Sequence, residues 1–115
     1  MQPIAASMTR DDMQAIAEYL SKKTWPDLGQ PQAPKDVADR ASAANRSVGC
    51  TGCHLDHFQG DGTVPRLSGP SREYLTKTIA DFRTRARGNN PGMSDLMIAT
   101  APDDLAALEE YLAGL

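Results

Sequence analysis

The sequence predicts a small all-α fold, and three observations carry the prediction. Apolar residues recur at helical spacing in several segments. Aromatic residues make up only 5% of the chain, and β-branched ones are sparse beside plentiful Ala, Leu, Asp and Glu. Proline and glycine gather between the periodic segments rather than inside them. A chain of 115 residues is one small domain with part of another, and its own core is limited. The formal charge of −3 gives no general basic surface, which argues against nucleic acid as a partner. No apolar run approaches ~20 residues, so no membrane span is expected.

The elements follow in order. Residues 9–21 read as a helix with Thr9 as cap, Asp11 and Asp12 in the positive first turn, and Met13, Ile16, Ala17 and Leu20 as one apolar stripe. Residues 24–35 carry Pro26, Pro31 and Pro34 and read as an extended linker. A weaker helix over 36–47 has Val37, Ala38, Ala41 and Ala44 on one side. Residues 55–70, with Gly60, Gly62, Pro65, Gly69 and Pro70, form a loop. Ser71 to Arg87 is an amphipathic helix with Leu75, Ile79, Phe82 and Ala86 inward and Gly88 ending it. A short loop from Asn89 to Gly92 leads to Met93. The last helix begins near Pro102 and carries Leu105, Leu108 and Leu112 on one face, with Tyr111 beside them.

The chemistry sits at Cys50-Thr51-Gly52-Cys53-His54. Two thiols at this spacing can each add to one vinyl group of a porphyrin, and the next histidine is then held under the ring. Cys50 and Cys53 are the only cysteines. A redox Cys-x-x-Cys should open a helix after a strand, and nothing upstream reads as a strand. A structural zinc wants four protein ligands, and only His57 could join the three here. One covalent haem c is the expected cofactor, and its flat apolar ring would supply core that a chain this short lacks.

Helix, haem motif, glycine- and proline-rich loop, helix, methionine and terminal helix occur in an order that resembles the class I c-type cytochrome family across residues 35–115. The resemblance implies that fold around one covalent haem, with Cys50 and Cys53 as thioether residues and His54 as proximal ligand. It implies that the carbonyl of Pro65, in Thr63-Val64-Pro65-Arg66-Leu67, takes the proton of the ligand histidine's other nitrogen. Leu55 departs from the family, where many members have glycine, and the loop is expected to start differently there. The sixth ligand implied is Met93, which follows Asn90-Pro91-Gly92 and precedes the terminal helix at the family's distance. Met97 is the rival for that place, and Met8 and Met13 read as core filler. His57 reads as a solvated loop residue. Arg83, Arg85 and Arg87 form a solvated basic run, or else one of them, or Arg66, pairs with a haem propionate or an acidic partner.

An offset of 92 positions sets Met1 on Met93, Asp11-Asp12 on Asp103-Asp104, Ala15 on Ala107 and Glu18-Tyr19-Leu20 on Glu110-Tyr111-Leu112. Residues 1–23 thus look like the end of a preceding domain, followed by a linker over 24–35 and a cytochrome domain over 36–115. This arrangement resembles tandem diheme cytochromes c, including the haem subunits of flavocytochrome c sulfide dehydrogenases. The orphan helix is expected to pack on the haem domain or on a second copy, giving a homodimer through the N-terminal helix.

The resemblance implies single-electron transfer between periplasmic redox proteins by a carrier that is not itself an enzyme. An alternative is the electron-accepting haem part of a complex with a flavoprotein. A third reading is an open-site haem sensor or enzyme. No signal peptide is visible, and haem attachment of this kind normally takes place outside the cytoplasm, so the chain is expected to be a mature or trimmed form.

Overall fold

A computed structural model describes residues 2–115. Met1, and with it the match of Met1 to Met93, lies outside the described residues. The elements are α1 (Gln2–Ala6), α2 (Arg10–Ser21), α3 (Lys35–Val48), α4 (Cys50–His54), α5 (Arg72–Arg83), α6 (Pro91–Ala99) and α7 (Pro102–Ala113). Among the described residues there is no strand, and the one β-bridge joins Asp61 to Val64.

Helices α3 and α7 form the central crossing, and α5 packs on both α6 and α7. Small residues make the crossing close: Ala41 and Ala44 of α3 are buried with Ala107, Leu108, Leu112 and Ala113 of α7. Phe58 and Leu75 complete this first cluster, and Tyr111 meets the Phe58 ring edge-on at 6.4 Å between centroids. A second cluster joins Phe82, Met97 and Leu105, with Ile79 and Met93 packed at its margin. Each fully buried Leu or Phe here is worth roughly 1.5–3 kcal/mol relative to exposure. The apolar core of this small domain is thus in two parts.

Two sequence expectations are corrected in this region. The helix expected to run to Arg87 ends at Arg83, because Thr84 caps it and Arg85 turns into the left-handed region at φ 59°. Ala86 is therefore exposed rather than inward. The loop expected at 89–92 is shorter, since Pro91 and Gly92 already belong to α6. Asn90 caps that helix through a bond from the Met93 amide to Asn90 Oδ1 at 3.1 Å, and Pro91 stands at its first position.

The N-terminal helix is built by local forces. Thr9 and Asp12 form a reciprocal capping box, and Lys22 pairs with Glu18 one turn back. Its bounds coincide with those of α7 under the 92-residue offset, end for end. Yet it buries none of its residues: Met13, Ile16 and Leu20 stay 44%, 48% and 59% exposed. The expected packing on the rest of the chain is not realised.

The proline-rich segment, by contrast, is docked. Gln30 Nε2 donates to the carbonyls of Pro70 at 2.7 Å and Ala113 at 3.2 Å, and its Oε1 accepts from the Arg72 amide at 2.9 Å. At Gly114 the backbones touch so closely that a Cβ would lie 2.6 Å from the Pro31 carbonyl oxygen. Lys35 belongs to α3, with Pro34 as its cap, so the linker ends one residue earlier than expected.

Candidate haem site

The attachment motif is a single helical turn set at an angle to α3. Gly49 makes the break: it closes α3 in the left-handed conformation at φ 78° and at once caps α4. Asn45 of α3 then accepts the Thr51 amide at 3.3 Å, which ties the turn back to the helix it left. Cys50 is half-buried against the first core cluster, and burial pushes its thiol above the ordinary range. Cys53 is exposed, and both thiols are free of any disulfide.

His54 ends the turn with only 7% of its surface exposed. Its Nδ1 lies 2.7 Å from the carbonyl oxygen of Pro65. A carbonyl only accepts, so Nδ1 is the donor, and in the neutral imidazole the lone pair a metal would need is on Nε2. The loop that delivers Pro65 is laced to the motif. The Gly60 amide donates to the His54 carbonyl at 3.0 Å, Asp61 and Val64 exchange both backbone bonds, and Leu67 returns to Phe58 at 2.7 Å. Gly60 makes this possible at φ 68°, since a Cβ there would stand 2.4 Å from the Val64 carbonyl oxygen. Leu55, the departure noted in the sequence, has φ 65° and ψ 168°, a backbone natural to glycine. The side chain departs, while the backbone keeps the glycine-type path.

Met93 sits in the first turn of α6, half-buried beside the second cluster. Met97, one turn on, is buried at 3% with Phe82 and Leu105 and fills core. Met8 is half-buried and Met13 exposed, so neither is core filler. His57 is exposed in the loop. The basic residues each have a partner within the chain. Arg83 donates to the carbonyls of Met97 and Thr100, and Arg85 pairs with Asp95. Arg87 stacks over Phe82, and Arg66 bonds the Ser68 carbonyl and covers the Trp25 ring.

These residues fit a covalent haem. Two thiols on one turn, an imidazole with its outer nitrogen fixed as donor, and a core split between the Cys50 side and the Met93 side are what an inserted apolar ring requires. Among the described residues no three His, Cys, Asp or Glu side chains gather as a metal site of their own. A hollow of about 220 Å³ between α3 and α6 is lined by Ala44, Val48, Leu96 and Ala99. The larger hollow, about 300 Å³, lies between Arg40 and Arg72 and holds none of the motif.

Sequence reasoning missed Asn45, Gly49 and the α6 cap. Asn90-Pro91 was a readable helix-start signal, whereas nothing local marked Asn45 as the tie to the motif.

Comparison with known proteins agrees. The thiosulfate dehydrogenase electron acceptor of Stutzerimonas stutzeri is 32% identical over 125 aligned positions, covering all of this chain and 58% of that protein. The cytochrome c4 of Azotobacter vinelandii is 32% identical over 113 positions, covering 90% of this chain and 54% of that protein. The chain thus spans little more than half the length of these relatives. Among solved structures, cytochrome c4 of Acidithiobacillus ferrooxidans superposes with a TM-score of 0.84 over the whole chain at 24% identity, covering 70% of that chain. Reduced cytochrome c4 of Pseudomonas stutzeri gives 0.80 over 97% of the chain at 25% identity, covering 64% of that chain. No family model matches the chain. Fold, motif and relatives together fit a class I c-type cytochrome domain. Its homologues are cytochromes c4 and the thiosulfate dehydrogenase electron acceptor.

Proposed function

We propose that the chain carries single electrons between periplasmic redox proteins through one haem c. Cys50 and Cys53 would hold the haem, and His54 and Met93 would be its axial ligands. The observation that carries this reading is the His54 Nδ1 bond to Pro65, which in the neutral imidazole gives the lone pair to Nε2, next in sequence to the two thiols. When bound, the haem supplies an iron that changes valence by one electron. The residues would do the rest: Pro65 would fix the imidazole tautomer and ring plane, and the apolar residues beside Cys50 and Met93 would keep water from the haem. A thioether ligand such as Met93 favours the ferrous state and raises the potential. No substrate bond is made or broken, so no acid–base pair is required of the chain. Periplasmic residence rests on the site of haem attachment, and no helix among the described residues is long and apolar enough to cross a membrane.

The domain reading stands beside it: residues 1–23 as the end of a preceding domain of the same kind, 24–35 as linker and 36–115 as the haem domain. The matching bounds of α2 and α7 support this. The name of the Stutzerimonas relative favours a second reading, a dedicated acceptor for one sulfur-oxidising dehydrogenase.

The test is anaerobic stopped-flow reduction of the oxidised holoprotein by thiosulfate dehydrogenase with thiosulfate. One electron per haem, with no thiosulfate consumed by the chain alone, supports the carrier. Consumption of thiosulfate by the chain alone contradicts it. Co-elution of the two proteins on gel filtration favours the dedicated acceptor over the free shuttle.

A further inference from the structure

The second core cluster has a polar anchor whose reach goes beyond packing. Arg83, the last residue of α5, sends Nη1 to the carbonyl oxygens of both Met97 and Thr100, each at 2.8 Å. Those carbonyls belong to the C-terminal end of α6, where helix geometry leaves acceptors without partners. The guanidinium also places a positive charge at the negative end of that helix. A second polar tie to α6 comes from the turn after α5 and is exposed: Arg85 pairs with Asp95 at 2.7 Å, with side chains 57% and 67% exposed. Such a pair contributes little. The buried cluster of Phe82, Met97 and Leu105 holds α6 in place by packing, and the two directional bonds of Arg83 add a fixed point to its register.

Helix α6 is nine residues long. Its N-terminal turn carries Met93, and its C-terminal turn is gripped by Arg83. A helix this short moves as a rigid body, so a clamp on one end sets the position of the other. The alternative role for Arg83, pairing with a haem propionate, competes with two carbonyl bonds already made.

We propose that Arg83 is a positioning residue: it fixes α6 in register so that Met93 is held toward the haem. This rests on the reading of Met93 as sixth ligand. Loss of the clamp lets α6 shift and raises the fraction of molecules in which the thioether has left the iron. An added ligand that competes with Met93 then binds more tightly, because its apparent affinity scales with the fraction of open sites.

The test is imidazole titration of the oxidised holoprotein, read by loss of the far-red sulfur-to-iron absorption band, for wild type, Arg83→Gln, Arg83→Lys, Met93→Ala and Ala41→Gly. Ala41, at 0% exposure in the other cluster, controls for general destabilisation. The proposal expects imidazole affinity to rise about tenfold in R83Q and about threefold in R83K, since lysine keeps the charge but not the planar fork. A41G should lower the thermal midpoint with its imidazole affinity unchanged. Wild-type affinity in R83K and in any R83Q that matures would overturn the proposal. So would an equal rise in A41G. Should M93A keep the far-red band, the ligand reading itself fails, an outcome separable from failure of Arg83 alone.

Discussion

Met93 and Met97 stand one turn apart on α6 and meet different surroundings. Met97 is 3% exposed between Phe82 and Leu105, whereas Met93 lies half-buried at the cluster's edge. A ligand must present its sulfur beyond the core, and a core residue must not. Met93→Ala is therefore expected to abolish the low-spin spectrum of the holoprotein and to open the reduced iron to carbon monoxide. Met97→Ala is expected to cost about 2–5 kcal/mol of stability and to leave coordination intact. The reverse pattern in visible spectra and guanidinium unfolding would make Met97 the ligand.

Gly60 is the close contact that brings Pro65 to His54. A methyl group there meets the Val64 carbonyl oxygen at 2.4 Å and Arg66 N at 2.7 Å, all backbone that cannot swing aside. Gly60→Ala is expected to destabilise the holoprotein by about 2 kcal/mol or more. Denaturant titration checks this, and an unchanged midpoint would mean that the loop relaxes freely.

Leu55 gives the opposite case, a side chain held where glycine belongs. Backbone strain in that region costs roughly 1–3 kcal/mol, and the entropy lost with a glycine is about 0.5–1 kcal/mol. Strain is the larger effect, so Leu55→Gly is expected to stabilise the holoprotein by about 1 kcal/mol. A drop in the thermal midpoint would show that the Leu55 side chain contributes more than its backbone costs.

The N-terminal helix should respond to acid through Asp12. The Thr9 hydroxyl and amide bond its carboxylate and hold its pKa below the ordinary 3.8. A lowered folded value stabilises α2 at pH above the ordinary value, and that contribution fades as pH falls through the lowered one. The amide-exchange protection of residues 10–21, taken relative to the intrinsic rate at each pH, is expected to fall in that acid range. Thr9→Ala should remove the pH dependence, and its persistence would place the titrating group elsewhere.

Much of this was legible in the sequence. Helical periodicity marked α2, α3, α5 and α7 because each, apart from α2, spends its apolar stripe on a core, and α2 carries the same stripe unspent. The attachment motif stood out because its residues are consecutive in sequence, whereas Pro65 entered only through the family resemblance. Helix α6 was hidden because its apolar residues surround it: Leu96 and Ile98 are exposed while Met97 and Ser94 are buried. The clamp of Arg83 and the docking of Gln30 were invisible for a different reason. Both join side chains to distant backbone carbonyls, and carbonyls leave no mark on a sequence. The same holds for the end of α5, where Arg85 adopts a left-handed turn that its residue type does not announce.

The visible spectrum of the purified holoprotein, oxidised and reduced, with and without carbon monoxide, tests the central claim most directly. The account predicts sharp low-spin bands on reduction that carbon monoxide does not move, as a closed iron between His54 and Met93 requires. A high-spin reduced spectrum that shifts on adding carbon monoxide would contradict it, and would point to an open site suited to sensing or catalysis.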